Sequence, residues 1–367
     1  MTDSAALLQA IYEAPDGDAP RRAYAEWLIE RGDPRGELVS LQLEEQRTGL
    51  TEAQTERVAA LLRQHGDQWL GALAPVVMFR EGVVFERGFP STSYVSFKTT
   101  EQCRAVLEAP EMATLRGLTI MGFDVPGTRV LAYLAGRDRP SRLRYLAIEL
   151  GAEPDGEDLV ALTHPRAVVA LPELATLWVN ATRAESPVTP EALGWVTRGP
   201  LLSQLERLVV TGLAEARSFR LAAWLQVAEG APQLRVLDLM RTAKDVSGVT
   251  TTWWWQLRRD ADGAEIEISL SVDPQYEAAS RREVDARLAE EHARAFATDL
   301  EGLGALGSLR LACSRQLDVD ADAASSPCDP PGPSDTPPSS RDYATALVAK
   351  MQRHFAAVRL ASGGPLR

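Results

Sequence analysis

The chain has 367 residues, a formal net charge of −12 and a hydrophobic fraction of 45%. This length allows two or three domains, or one domain plus an elongated array, and the hydrophobic fraction allows a substantial core. The excess of acidic residues disfavours a nucleic-acid partner, because negative charge repels phosphate backbones. No apolar run reaches the roughly 18 residues that a membrane-spanning helix needs, so we expect no membrane partner.

The first residues and the cysteines indicate the compartment. Residues 1–8 contain neither a basic segment nor a long apolar stretch, so we expect no secretory signal. The three cysteines, Cys103, Cys313 and Cys328, are far apart and odd in number, which disfavours a disulfide framework and a zinc cluster. They suit a reducing compartment, and we therefore expect a cytoplasmic protein.

Residues 1–72 are predicted to form a small helical domain. Apolar residues recur at helical spacing, and residues of turn and capping types separate the periodic stretches. Residues 15–18 form a predicted turn, a third helix is expected over 36–46, and Thr51 is expected to cap a fourth that ends near residues 65–66. The side chains expected to face inward are Leu7, Leu8, Ile11, Tyr24, Trp27, Leu28, Leu38, Leu41 and Gln42.

This helical segment resembles a known bacterial family. The resemblance is carried by Pro15-Asp16-x-Asp18-x-Pro20-Arg21, by Tyr24-Ala25-Glu26-Trp27-Leu28, by Arg31-Gly32-Asp33-Pro34-Arg35-Gly36-Glu37-Leu38 and by Gln42. These motifs are similar to the repeat-companion domain, which precedes leucine-rich or related repeats in bacterial paralogous families. The match covers residues 4–47 and departs from the family pattern at Arg22 and Glu26. It implies an adaptor-like architecture and no catalytic residues.

The acidic residues of the predicted turns have two interpretations. They are Asp16, Asp18, Asp33 and Glu37. Carboxylates in turns rich in Pro and Gly usually cap helices and close turns, which is the interpretation we favour. The alternative is metal binding, but calcium would need a loop of alternating oxygen ligands that closes with Glu, and that pattern is absent.

A six-residue apolar phrase recurs at nearly constant spacing after residue 110. Its copies begin at residues 115, 143, 174, 205 and 234, so the intervals are about 28, 31, 31 and 29 residues, close to the period of leucine-rich repeats. The copies are Leu115-x-x-Leu118-x-Ile120, Leu143-x-x-Leu146-x-Ile148, Leu174-x-x-Leu177-x-Val179, Leu205-x-x-Leu208-x-Val210 and Leu234-x-x-Leu237-x-Leu239.

The phrases predict an α/β fold, with a leucine-rich-repeat solenoid over residues 111–245 that has a curved parallel sheet inside and helices outside. Residues 73–110 are expected to connect the helical domain to the solenoid and to cap it.

The asparagine that bridges adjacent turns in most leucine-rich repeats is missing from this chain. Asn180 is the only Asn, and it lies one residue after Val179 and not three. Water, Thr or Ser is therefore expected to satisfy the backbone polar groups at the bends that follow the strands. Helix-like stretches fill the gaps at 128–135, 156–162, 189–196 and 216–228.

The concave face of this solenoid is the predicted binding site for a protein partner. Residues between the inward aliphatics point to the opposite face of each strand, and they include the residue types that interface cores favour. We expect Trp178 to be the anchor; the alternative is that a loop or the C-terminal segment covers the face. The predicted contacts are Met121, Tyr145, Glu149, Thr176, Trp178, Asn180, Arg207, Val209, Asp238 and Met240, and Thr119, Ala147, Thr211 and Val236 share the face.

The pattern changes within residues 246–316. Residues 250–257 and 265–272 alternate like strands around Asp260-Ala261-Asp262-Gly263, which is a hairpin signal. Trp253 and Trp255 share one face of the first strand, and Trp254 points to the other. We favour burial of these tryptophans, and the alternative is a second partner contact.

The C-terminal part is predicted to enlarge and close the array. Further apolar phrases begin at Leu306 and Phe355. The predicted segments are an amphipathic helix over 281–300, a disordered Pro- and Ser-rich loop over 317–341, and a C-terminal cap over 342–367 that contains a helix at 343–355 and an edge strand at 356–360.

We expect no catalytic residue, no cofactor and no metal ion. Residues 302–307 match G-x-G-x-x-G, but they are predicted to follow a helix and precede a strand, the reverse of a dinucleotide site. The histidines His65, His164, His292 and His354 are dispersed and share no ligand-like spacing. The sequence therefore predicts a non-enzymatic, scaffold-like protein that binds an unknown protein and is a monomer or weak homo-oligomer. The alternative is a structural or self-assembling protein that pairs through the tryptophan hairpin or the edge strand.

Overall fold

A computed structural model describes residues 4–151, 155–182, 184, 188–213, 221–244, 250–260, 263–272, 310–315 and 358–359. The described part is a mixed α/β structure whose strands pair mostly in parallel. The chain divides into two compact units, Met1–Asn180 with Gly199–Gln204 and Ala181–Arg198 with Leu205–Arg367. The division falls inside the predicted repeat region.

Four helices begin the first unit, as the sequence predicts. They are α1 (Ser4–Glu13), α2 (Asp18–Ile29), α3 (Pro34–Thr48) and α4 (Glu52–His65). Helix α3 begins two residues earlier than expected, because Pro34 suits the first helical position and the Asp33 side chain accepts a hydrogen bond from the Arg35 amide at 2.9 Å. Thr51 and Gln54 form a capping box at α4. Of the side chains expected inside, Ile11, Tyr24, Leu28, Leu38 and Gln42 are buried, and the others are partly buried.

A tight hairpin follows the helices and is held by α3. Strands β1 (Val84–Glu86) and β2 (Phe89–Val95) are antiparallel, and the two-residue turn between them has φ of 51° at Arg87 and 82° at Gly88. Positive φ at both turn positions suits a type I′ hairpin, and a Cβ on Gly88 would overlap the Val39 side chain of α3. The buried Gln42 side chain donates to the Phe85 carbonyl at 2.8 Å and accepts from the Gly88 amide at 2.7 Å. It therefore satisfies the backbone of this turn.

The Phe89 side chain joins the hairpin to the helices. Its ring lies 6.1 Å from the Tyr24 ring and 6.4 Å from the Tyr12 ring, measured between centroids. The guanidinium groups of Arg35 and Arg21 lie 4.4 Å and 5.5 Å from the same ring, at cation–π distances. One aromatic side chain thus contacts α1, α2 and α3.

Parallel strands extend the sheet of the first unit from β2. Strands β3 (Gly117–Ile120), β4 (Tyr145–Glu149) and β5 (Thr176–Asn180) follow in chain order, and each pairs in parallel with the one before it. Leu118, Leu146 and Leu177 are register partners and are fully buried, which confirms the in-register prediction for the first three phrases. The intervening helices are α5 (Thr100–Glu108), α6 (Gly127–Gly136), α7 (Gly156–Thr163) and α8 (Arg166–Ala170); the sequence reasoning did not predict α8.

The second unit has both parallel and antiparallel pairing. It contains α9 (Gly194–Thr197), β6 (Arg207–Leu213), α10 (Leu221–Glu229) and β7 (Val236–Lys244), and Leu208 pairs with Leu237, so the fourth and fifth phrases are also in register. Helix α9 is shorter than the predicted helix 189–196, because residues 189–193 form a turn in which the Thr189 hydroxyl accepts from the Ala192 amide.

The predicted hairpin is confirmed, and it joins the sheet of the second unit. Strands β8 (Thr250–Asp260) and β9 (Gly263–Val272) are antiparallel, with Asp260 opposite Gly263. Strand β8 also pairs antiparallel with β7, which the sequence did not indicate. Strands β10 (Arg310–Arg315) and β11 (Val358–Arg359) continue the sheet in parallel. The predicted segments 281–300, 302–307, 317–341 and 343–355 lie outside the described residues.

Ion pairs connect loops of the first unit with one another. Arg116 Nη2 lies 2.5 Å from Asp16 Oδ1, and Glu173 is paired with Arg142 at 2.5 Å and with Arg144 at 3.2 Å. Burial acts to raise the pKa of Glu173, but hydrogen bonds from Arg142 and Arg144 lower it below its ordinary value. These carboxylates therefore stabilise loops of the first unit, as the acidic turn residue Asp33 stabilises α3.

Replacing Gln42 with Ala should lower the free energy of unfolding by about 3 kcal/mol, because it leaves a buried carbonyl and a buried amide without their hydrogen bonds. Urea unfolding followed by circular dichroism measures this loss. Gln64→Ala, on the exposed face of α4, is the matched control and should change little. Equal midpoints for the two variants would contradict the bridging role of Gln42.

Replacing Glu173 with Gln should reduce stability at neutral pH and have less effect in acid. Because the folded-state pKa of Glu173 is lowered, its stabilisation is complete above its unfolded pKa of about 4.5 and disappears as the pH falls through the folded pKa. Urea unfolding between about pH 7 and pH 3 measures this convergence. Glu56→Gln, at an exposed position of α4, is the control. A stability difference that is independent of pH would exclude this account.

Candidate interaction face

The candidate site is the outward face of β2–β5, which is the side of the sheet opposite the buried leucines. Side chains alternate along each strand, so the residues between the buried aliphatics point away from the core. Parallel pairing places register partners side by side, with Tyr145 next to Thr176 and Ala147 next to Trp178. The partly exposed residues of this outward face are Thr92, Tyr94, Thr119, Met121, Tyr145, Thr176, Trp178 and Asn180.

Two aromatic residues that the sequence reasoning did not select extend the outward face. Tyr94 of β2 pairs in register with Thr119 and is 38% exposed. The Phe79 ring is 46% exposed and meets the Tyr94 ring edge to face, with centroids 5.9 Å apart. Strand β2 lacks the leucine phrase, since Ser91 and Ser93 take its inward positions. The signal that could have identified Tyr94 is the alternation within residues 89–95.

Glu149 is buried, contrary to its expected place among the exposed residues of this face. Its side chain is only 5% exposed, and Oε2 accepts a hydrogen bond from the Gly122 amide at 3.2 Å. Gly122 lies just after β3, so this carboxylate bridges two neighbouring turns, as the missing asparagine would. The expectation that water, Thr or Ser serves every bend is therefore also wrong at this position.

In the second unit, the predicted contacts Val209 and Asp238 are buried, and their assignment as exposed contacts is wrong too. Val209 is 3% exposed and pairs in register with Asp238, which is 0% exposed. The Asp238 carboxylate accepts from Arg207 at 2.8 Å and 2.5 Å and from the Gln256 side chain. A buried carboxylate requires such partners, and β8 supplies one of them. Arg207 remains exposed, and Met240 is partly exposed.

The tryptophans of β8 are described in part. Trp255 is 4% exposed and lies opposite Leu239 of β7, which agrees with the expected burial. The side chains of Trp253 and Trp254 lie outside the described residues.

Within the described ranges, no group of three or more His, Cys, Asp or Glu side chains is placed to share a metal ion. The Cys103 thiol is buried in the first unit, and burial raises its pKa to about 12, which keeps it protonated at neutral pH. No helix in the described part of the chain has the length and hydropathy needed to cross a bilayer.

Comparisons with known proteins identify no relative of this chain. No protein-family model, no curated protein and no solved structure matches it.

Replacing Asp238 with Ala should lower the free energy of unfolding by about 2 kcal/mol, because the Arg207 guanidinium and the partly buried Gln256 amide lose a charged partner. Asp124→Ala is the control, since its pair with Lys98 is exposed and contributes about 0–1 kcal/mol. Urea unfolding of both variants measures the difference. If the two variants unfold at the same urea concentration, the Asp238 network has no structural role.

Proposed function

We propose that this chain is a non-enzymatic interaction protein that binds a protein partner through the outward face of β2–β5. The observation that carries the proposal is the composition of this face: Tyr94, Tyr145, Trp178 and Met121 are partly exposed on it. The described positions of these four strands add no exposed charged side chain to the face, since Glu149 is buried. Interface cores favour aromatic residues and Met and are depleted in charge.

The rigidity of this face supports the proposal. The inward residues of the same strands are buried, and the backbone ladder continues past the strand ends, where the Met121 amide donates to Val95 and the Leu150 amide donates to Asn180. Aromatic side chains on a paired sheet lose little conformational entropy when they bind. The same composition disfavours nucleic acid, which requires exposed positive charge.

We also propose that the paired phrases form a degenerate leucine-rich-repeat solenoid and that residues 1–72 are a repeat-companion domain in a cytoplasmic bacterial protein. The in-register leucines and the helices between successive strands support the solenoid. Arg35 and Gln42 both belong to the resembling motif, and both bind the hairpin at the start of the sheet. These contacts support a module whose motif holds the first strand pair.

Self-assembly is the second candidate function, because apolar residues are exposed beside the terminal strand of the first unit. Met78, Phe79 and Val84 are 41%, 46% and 49% exposed, and Val84 belongs to β1, which ends the sheet. Exposed edges and apolar patches are common sites of association. A molar mass that is independent of concentration in light scattering would exclude this alternative.

Replacing Tyr145 and Trp178 together with Ala should abolish binding of the partner without unfolding the chain, because both side chains are partly exposed. Pull-down from the lysate of the source organism, with mass spectrometry, identifies proteins that the wild type retains. Loss of two central aromatic contacts should weaken binding of the partner at least about 100-fold. Val160→Ala with Val169→Ala is the matched control, since these residues are 68% and 66% exposed on α7 and α8. A partner set that both double variants retain unchanged would refute the outward face as the binding site.

A further inference from the structure

The first unit contains a cleft of 510 Å³ whose residues are separate from the outward face. It is lined by the end of α1, by the 3-10 helix Pro110–Thr114, by the segment between α6 and β4, and by Pro172. These loops precede β3, β4 and β5, so the cleft lies at the edge of the sheet where the strands begin. Its volume is within the range of ligand sites in proteins, about 300–1,000 Å³.

More basic than acidic side chains line the cleft. Arg137, Arg139 and Arg142 line it, and Glu13 is the one acidic residue among the lining residues. Arg142 is paired with Glu173, but within the described residues no hydrogen bond or ion pair at contact distance joins Arg137 or Arg139 to a carboxylate. Arg137 is also half-buried, and burial is the main cause that lowers the pKa of its guanidinium. Two arginines are thus positioned to bind an anion.

The rest of the lining is largely apolar. Tyr12 and Met112 contribute an aromatic ring and a thioether, and Pro15, Pro140 and Pro172 contribute rigid apolar rings. Met112 is 9% exposed, so most of its side chain is already covered by the protein. A ligand that fits both parts combines anionic groups with apolar groups.

We propose that this cleft binds an acidic peptide segment of a partner protein. The carboxylates of the peptide pair with Arg137 and Arg139, whose planar guanidinium groups suit bidentate contacts, and its apolar side chains pack against Tyr12 and Met112. The cleft is open to solvent at Arg139 and Pro140, which are exposed, so an extended chain can enter and leave it. Grooves lined by aromatic residues are common peptide-binding surfaces.

The probe is a short fluorescein-labelled peptide of alternating Glu and Leu, with binding to the full chain followed by fluorescence anisotropy. Two control peptides separate the contribution of charge from that of apolar contact. In one, Gln replaces Glu, and in the other, Ser replaces Leu. The Glu/Leu peptide should bind saturably, each control peptide should bind about tenfold more weakly or worse, and added salt should weaken the binding.

Arg137→Ala with Arg139→Ala should reduce the affinity for the Glu/Leu peptide at least about tenfold. Arg139→Glu is a second variant, at an exposed position, and should weaken binding at least as much, because it replaces the positive charge with a negative one. The control is Arg47→Ala with Arg63→Ala, which removes the same charge from exposed positions of α3 and α4 and should leave the affinity unchanged. The proposal is overturned if the Glu/Leu peptide does not bind or if the cleft variants bind it like the wild type. It is also overturned if the control variant weakens peptide binding as much as the cleft variants do.

Discussion

Parallel pairing of equivalent residues in neighbouring strands is the constraint on which the first unit depends. A slip of one residue would turn Leu118, Leu146 and Leu177 outward and bring polar residues inward, because side chains alternate with a period of two. Each buried leucine contributes about 2 kcal/mol, so the sum strongly favours the observed register. The same register determines which residues point outward, so the chemistry of the outward face is a consequence of how the core packs.

The first strand pair needs a separate solution, because a sheet end leaves backbone groups and apolar surface uncovered. Here α3 packs against the hairpin turn, Gln42 satisfies its polar groups, and Phe89 packs beneath two arginines and two tyrosines. Gly36 permits this arrangement, since a Cβ at this position would lie 2.7 Å from the Ala25 carbonyl oxygen and would separate α2 from α3. The helical module and the sheet are therefore joined by polar and aromatic contacts together.

Carboxylates in this acidic chain are repeatedly structural. Asp33 caps a helix, Asp16 and Glu173 bind arginines of neighbouring loops, Glu149 bridges two turns, and Asp238 joins three strands. Arg137 and Arg139 have no carboxylate at contact distance in the described residues, and they also line the cleft. Pairing and location together therefore separate binding candidates from structural residues better than residue type does.

The spacing of the leucine phrases, the capping residues and the hairpin signal were sufficient to predict the four N-terminal helices, the in-register strands and the turn at 260–263. They were sufficient because helix caps, turns and strand alternation depend on residues close in the chain. The sequence also placed Tyr145 and Trp178 on the outward side, since alternation gives the direction of a side chain.

The sequence could not give the exposed fraction of a side chain. Glu149, Val209 and Asp238 point as predicted but are buried, because residues from neighbouring strands and turns surround or bind them. The arginine cleft likewise arises from contacts between segments distant in the chain, which only the tertiary structure brings together.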